Sequence, residues 1–309
     1  MEVFHSGERT VHDLLGVQKI ANSASTMIQQ TLPKKFMNFL NGQNSFVMSS
    51  MDQRGRVWSS FLAGNPGIIQ AIEADIVKIN TKINEGDPLF LNILQHKEVG
   101  ILVIDFASRI RIRINGKVSI VYPDGNFEIK IEQVFGNCPK YIQARRFEYK
   151  AVEEIVNKKL HPLNTLNKKQ QNWISESDTF IIASASFEGK MDISHRGGMP
   201  GFVHVINEKS IIFPDYSGNM LFNTLGNIVQ NPNVGLLFFD FNTGGTLQIT
   251  GEASIIWNID QDILSKFPGA QRLVQFQIIE VIEVIEVLEV PCYESYNWEF
   301  LNYSTFNPK

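Results

Sequence analysis

Apolar positions along the chain fall in short runs and alternations far more often than at helical spacing. Residues 45–50 (SFVMSS) and 179–184 (TFIIAS) are apolar and rich in β-branched or aromatic residues. Each runs into a glycine-containing turn, Asp52 to Gly55 and Phe187 to Gly189, and then a second extended run, which predicts two β-hairpins. Strands are expected next near 75–80 and 210–213, then a helix near 88–96 or 220–230. A buried apolar strand and two alternating ones follow, ending at Val121 and Trp257. Asn231-Pro232 stops the second helix before its strand begins. Many short antiparallel strands with one inserted helix predict a small barrel, because closing a sheet removes its exposed edges.

Three stretches lie outside this pattern. Glu8 to Gln30 carries Val11, Leu14, Leu15, Ile20, Met27 and Ile28, an imperfect helical stripe expected to pack across a barrel. Residues 150–172 are polar and lysine-rich around His161-Pro162 and predict a helix-and-loop connection. After Arg272 the chain reads LVQFQIIEVIEVIEVLEV; its first part is expected to be a closing strand, and a Glu every three residues fits neither helix nor strand.

The pattern is written twice. Residues 45–69 lie over 179–203 without a gap, matching Phe46 with Phe180, Gly55 with Gly189, Pro66 with Pro200 and Gly67 with Gly201. After a one-residue slip, VGILVIDF (99–106) matches VGLLFFDF (234–241) and NGKVSI (115–120) matches TGEASI (250–255). A repeat of this length implies two copies of one architecture. The expected division is an N-terminal helix plus first copy over 1–149, a linker over 150–175 and a second copy over 176–309.

Composition narrows the choices. A chain of 309 residues with 43% hydrophobic and 19% charged content is ordinary globular material. A net charge of −4 and no long Lys/Arg run argue against a nucleic-acid partner. Cys138 and Cys292 are the only cysteines and have no metal-ligand spacing, so neither a disulfide framework nor a metal is expected, and a reducing compartment fits. The first residues lack a signal-peptide apolar run and no stretch reaches the roughly 20 apolar residues of a membrane span. The expectation is a soluble, cytoplasmic protein without a membrane partner.

Candidate chemistry concentrates between Met191 and Asn231. Ser194, His195, Arg196, Asp215, Asn219, Asn223, Thr224 and Asn227 stand among Gly197, Gly198, Gly201, Gly218 and Gly226. Hydroxyl, amide and guanidinium groups among glycines suit a polar ligand approached closely by backbone. Ser217 to Asn223 falls at the expected helix start, where free N–H groups favour an anion.

The segments FHSGERTVHDLLGV, FGNCPKYIQAR, DISHRGGMPGFV, FPDYSGNMLFNTLGNIVQNPNVGLLFFDF and LQITGEASIIW resemble those of pyridoxamine 5'-phosphate oxidase-related FMN-binding proteins. The resemblance implies a mainly β fold with peripheral helices, built as tandem FMN-binding split β-barrels with FMN at their junction. Carried over, it implies that Asp192, Ile193, Ser194, His195 and Arg196 run along the flavin toward its phosphate. Phe213, Pro214 and Asp215 would lie beside the ring, and Asn219, Asn223 and Thr224 near the phosphate. Two departures stand out: Asn223 and Thr224 replace the Arg or Lys of many relatives, and the C-terminal substrate-binding Arg motif is not recognisable in YNWEFLNYSTFNPK. Vitamin B6 oxidation is therefore not expected.

The first copy has Ser60-Phe61-Leu62-Ala63 where the second has Ser194-His195-Arg196-Gly197, so it is expected to act as scaffold or site wall. Arg109, Arg111 and Arg113 alternate and would share one strand face, solvated by default. Trp58 and Trp257 are expected in the core. The functional expectation is an FMN-dependent oxidoreductase taking a small-molecule substrate or electron donor, with any reductase partner on another chain. The alternatives are a flavin- or haem-binding carrier or sensor without turnover, and an interaction protein whose site has decayed. No catalytic proton-transfer pair stands out, and an isologous homodimer is compatible with the pattern.

Overall fold

The computed structural model describes residues 3–145 and 162–284. The expected helix and loop over 150–161, Cys292 and the segment beyond Val284 lie outside the described residues.

The chain opens with α1 (Ser6–Leu15), α2 (Gln18–Ala24), a short 3-10 turn and α3 (Lys34–Asn41). One helix over Glu8 to Gln30 was expected, and the structure splits it. Gly16 takes the left-handed conformation and closes α1, its N–H donating to the Asp13 and His12 carbonyls. At the other end a capping box holds α1: Gly7 N donates to His5 Nδ1 at 3.1 Å and His5 N to Glu8 Oε2 at 2.9 Å.

The first copy comprises β1 (Ser45–Met51), β2 (Val57–Ala63), β3 (Ile69–Glu73), β4 (Ile76–Ile79), α4 (Pro88–Gln95), β5 (Glu98–Asp105), β6 (Ile110–Val121) and β7 (Phe127–Gly136). After α5 (Lys168–Glu176) the second copy repeats it as β8 (Thr179–Ala185), β9 (Met191–Gly197), β10 (His204–Asn207), β11 (Ser210–Tyr216), α6 (Asn223–Gln230), β12 (Asn233–Phe239), β13 (Thr246–Ile256), α7 (Gln261–Leu264) and β14 (Ala270–Val284). The helix expected from residue 220 starts at Asn223, because Met220 and Phe222 both take left-handed backbone.

Each copy forms one seven-stranded antiparallel sheet, ordered β2-β1-β5-β6-β7-β4-β3 in the first and β9-β8-β12-β13-β14-β11-β10 in the second. The two orders correspond strand for strand. Registers match too: Ser45 faces Ala63 as Thr179 faces Gly197, and the ladder shifts at Asn115/Gly116 as it does at Thr250/Gly251. Each inserted helix is tied to its barrel by one repeated bond, Asn92 Nδ2 to Ser50 Oγ and Asn227 Nδ2 to Ser184 Oγ, both 2.9 Å. These are tandem split β-barrels, mainly β with peripheral helices.

Each barrel has its own apolar core, around Phe46, Met48 and Phe127 in the first and Phe180, Phe238 and Phe276 in the second. A third cluster joins them: Val47, Leu102, Ile104, Phe106 and Ile142 pack on Ile181, Ile193 and Leu237. Such burial stabilises by roughly 25 cal/mol per Å² of apolar surface, which fixes the two barrels against each other. Trp58 is buried and Trp257 packs on the second core, as expected. Among the described residues no helix is long and apolar enough to cross a membrane.

Candidate ligand site between the barrels

The joining cluster ends at a cavity of about 230 Å³. The second barrel lines it with Ser194, His195, Arg196 and Gly197 of β9, Pro214 and Tyr216 of β11, and Phe202, Gly218 and Asn219. The first barrel supplies Arg111 and Arg113 of β6, with Asn137, Cys138, Lys140 and Tyr141 from the segment after β7. Strand β9 ends its sheet and packs on the first barrel, where Asp192, Ser194 and His195 meet Arg111 and Arg113. Gly197 lets the following crossing occur, since a Cβ there would sit 2.1 Å from the Tyr141 carbonyl oxygen.

The cavity is rich in cations. Its lining holds Arg111, Arg113, Lys140 and Arg196 and no carboxylate. Arg113 is neutralised behind the wall: its Nη1 donates to Asp192 Oδ1 at 2.9 Å, and its Nη2 to Ser194 Oγ at 2.8 Å. Asp215 is engaged mainly by Arg272, whose Nη2 lies 2.8 Å from Oδ2, and reaches Arg196 only at 4.0 Å. Arg111 has no carboxylate partner among the described residues; it donates to the Cys138 carbonyl at 2.8 Å and to His195 Nδ1 at 3.1 Å. Burial, then Arg113 and Arg196, pull the Arg111 guanidinium down to about 9. It stays charged at neutral pH, but a counter-anion would stabilise it.

The Arg111 contact settles the state of His195. Arginine has only donors, so Nδ1 must accept and the ring proton sits on Nε2. Burial, then Arg111, Arg196 and Arg145, hold His195 well below its ordinary pKa. The imidazole is therefore neutral, with an N–H at Nε2 that has no partner among the described residues. Arg111 Nε, Arg113 Nε and Asn137 Oδ1 are likewise buried and unpartnered among the described residues, and buried polar atoms of this kind call for a ligand or water. On one side Tyr141 and Tyr216 stack at 5.3 Å between ring centroids, and Tyr141 Oη donates to the Ser217 carbonyl at 2.9 Å. Burial raises both phenols, Tyr216 to about 12, so both remain protonated. Three unpartnered donors, surplus positive charge and an aromatic wall suit a ligand that is anionic at one end and flat and polar at the other.

Of the sequence-derived candidates, Ser194, His195, Arg196, Pro214 and Asn219 line the cavity, and Asp192 and Asp215 stand behind it in ion pairs. Ile193 and Phe213 do not line it: the first is in the cluster joining the barrels and the second in the core of the second barrel. Asn223 and Thr224 are also set back. Thr224 is buried, and Asn223 accepts from Arg113 Nη1 at 3.3 Å while donating to the Glu8 carboxylate. The arginine stripe needs correction, since Arg111 and Arg113 face the second barrel rather than solvent, and Arg109 sits in the preceding turn with positive φ. Lys140 and Tyr141 entered the sequence reading only within the family-like segment FGNCPKYIQAR, Cys138 there and in the cysteine count, and Tyr216 and Glu8 were not singled out as contributors. Among the described residues no group of His, Cys, Asp or Glu is placed to hold a metal ion.

Two antiparallel split barrels with a polar cavity at their junction define a class, and the comparisons agree with it. The pyridoxamine 5'-phosphate oxidase family signature matches residues 32–161 and 166–287, one match per copy, and the chain belongs to that family. The solved structures it resembles include a pyridoxamine 5'-phosphate oxidase-like protein of Lactobacillus delbrueckii (20% identity, TM-score 0.33, covering 38% of this chain and 94% of that one). An FMN-binding protein of Syntrophomonas wolfei is 11% identical (TM-score 0.30, 38% and 84%), and the haem storage protein HutZ of Vibrio cholerae is 11% identical (TM-score 0.28, 37% and 92%). No curated protein matches the chain.

Proposed function

We propose that the chain binds FMN in the cavity between its barrels and works as an FMN-dependent oxidoreductase. The observation that carries this reading is the pair Arg111 and His195, a cation without a carboxylate partner beside a neutral imidazole whose Nε2–H is unpartnered. Arg111 and Arg196, with Lys140 at the rim, would hold the phosphate, and His195 would donate to a polar edge of the ring. Bound FMN supplies the one- or two-electron redox chemistry. The chain's part is to orient the ring against the Tyr141–Tyr216 side and to place donors where reduction adds negative charge. Substrate or electron donor reaches the ring from outside the chain, in the second case by way of a separate reductase.

Haem binding is the competing reading in this family of folds, and the tautomer of His195 speaks against it. For Nε2 to ligate iron its proton would have to move to Nδ1, which would break the contact with Arg111. The visible spectrum of freshly purified protein, followed by identification of the released chromophore, tests the choice. Flavin bands with released FMN are expected; a Soret band, or colourless protein that does not take up FMN, defeats the proposal. Oxidation of NADH or NADPH by the FMN-loaded protein then separates an oxidoreductase from a carrier.

A further inference from the structure

The matched strand orders generate a second junction, related to the first by exchange of the two barrels. There β2 of the first barrel stands where β9 stands in the cavity just described, and β13 of the second barrel where β6 stands. Ser60 takes the place of Ser194, Phe61 of His195, Leu62 of Arg196, Thr246 of Arg111 and Gln248 of Arg113. The four charged or titratable groups that make the first junction attractive to an anion are thus two apolar and two neutral polar residues in the second.

The second junction nevertheless contains an anion. Asp87, the N-cap of α4, accepts from Ser60 Oγ at 2.6 Å and Leu89 N at 2.9 Å through one oxygen, and from Gln248 Nε2 at 2.7 Å through the other. Those donors come from a strand of each barrel and from a helix start, a set that would serve a phosphate or carboxylate ligand equally well. The corresponding position in the second copy is Phe222, which brings no carboxylate. Phe61, next to Ser60 on β2, packs edge-on against Phe239 at 5.3 Å, bringing rings from both barrels together against the joining cluster. Burial holds the Asp87 carboxyl above its ordinary value, against three hydrogen bonds that pull it down.

We infer that the chain has one ligand site rather than two, the second junction being sealed by its own side chains with the Asp87 carboxylate in the position of a ligand's anionic group. The count of ligands rests on the FMN reading above; the sealing does not. Two measurements on the full chain keep them apart. Protein saturated with FMN and freed of excess is expected to release one FMN per chain, and two per chain would overturn the inference. Asp87→Ala vacates the internal anion, so formate is expected to raise its melting temperature saturably, as a ligand of the native state does. Chloride at equal ionic strength should not, and neither anion should move the parent protein. Where Asp87→Ala fails to fold, Asp87→Ser keeps the helix cap and gives the same readout. A variant indifferent to formate overturns the sealing, even if no FMN binds at all.

Discussion

Arg113 of the first barrel donates to Asp192 of the second at 2.9 Å, and both side chains are nearly sealed from water. The pair backs the cavity and bolts the two barrels together at once. Its Coulombic gain must offset the cost of dehydrating both ions, and Ser194 and Asn223 supply further bonds that help it do so. Replacing Arg113 by Ala leaves Asp192 buried without a cation, its Oδ1 keeping only the Asn115 amide at 3.3 Å. A loss of about 3–5 kcal/mol is expected for such an uncompensated charge, read as a fall in the urea midpoint with unchanged slope. Asp192→Asn, which keeps the shape, should cost less.

Arg111 is a cation of a different kind, because no carboxylate among the described residues holds it. Its removal should hardly touch stability. Charge-assisted hydrogen bonds contribute about 1.5–3 kcal/mol, so Arg111→Ala is expected to weaken FMN roughly 10- to 100-fold. Titration by quenching of flavin fluorescence measures this, and an unchanged affinity removes Arg111 from the site.

His195 makes stability depend on pH on the acid side. Its folded pKa lies well below the unfolded value near 6.5, so above that pH both states are neutral and nothing changes. As pH falls through 6.5 the unfolded chain takes up a proton that the native imidazole refuses, and stability declines. The difference in melting temperature between the parent and His195→Gln should therefore change between pH 7.5 and 5.5, the parent losing ground as pH falls. Parallel curves would mean the imidazole is charged or exposed.

Glu8 gives a dependence of opposite sign. Burial raises its carboxyl from 4.5 to about 7, against bonds from His5 and Asn223. Between those values the native state keeps a proton that the unfolded chain releases, so stability falls as pH rises through the window and levels off above it. At 1.36 kcal/mol per pH unit the full effect is on the order of 3 kcal/mol. Glu8→Gln should abolish the decline and be the more stable protein at pH 8, by denaturant titration at several pH values.

The fold was legible because the two copies repeat their hairpins in identical register, so that Phe46 and Phe180, or Gly55 and Gly189, stand at the same points of the same ladder. The polar run of β9 was legible because Ser194, His195 and Arg196 interrupt a strand otherwise patterned for burial. Phe213 shows an available signal left unused: it alternates with Pro214, so strand periodicity alone turns it to the barrel core. Arg111 and Arg113 could not be placed this way. Their surroundings depend on which face of the first barrel meets β9, a tertiary fact with no local trace. The place of Asn223 was hidden for a similar reason, since its partner Glu8 arrives from a helix 215 residues away in sequence.

The joining of both barrels in one polypeptide has a genetic consequence. In a homodimer every substitution is made twice, once in each symmetric cleft, so a change that improves one cleft as a joint cannot spare the other as a binding site. Here Arg113 and its counterpart Gln248 are separate codons. One cleft is free to specialise for its ligand and the other for cohesion. Dilution cannot part the two halves, because the tether fixes their effective concentration whatever the abundance of the protein.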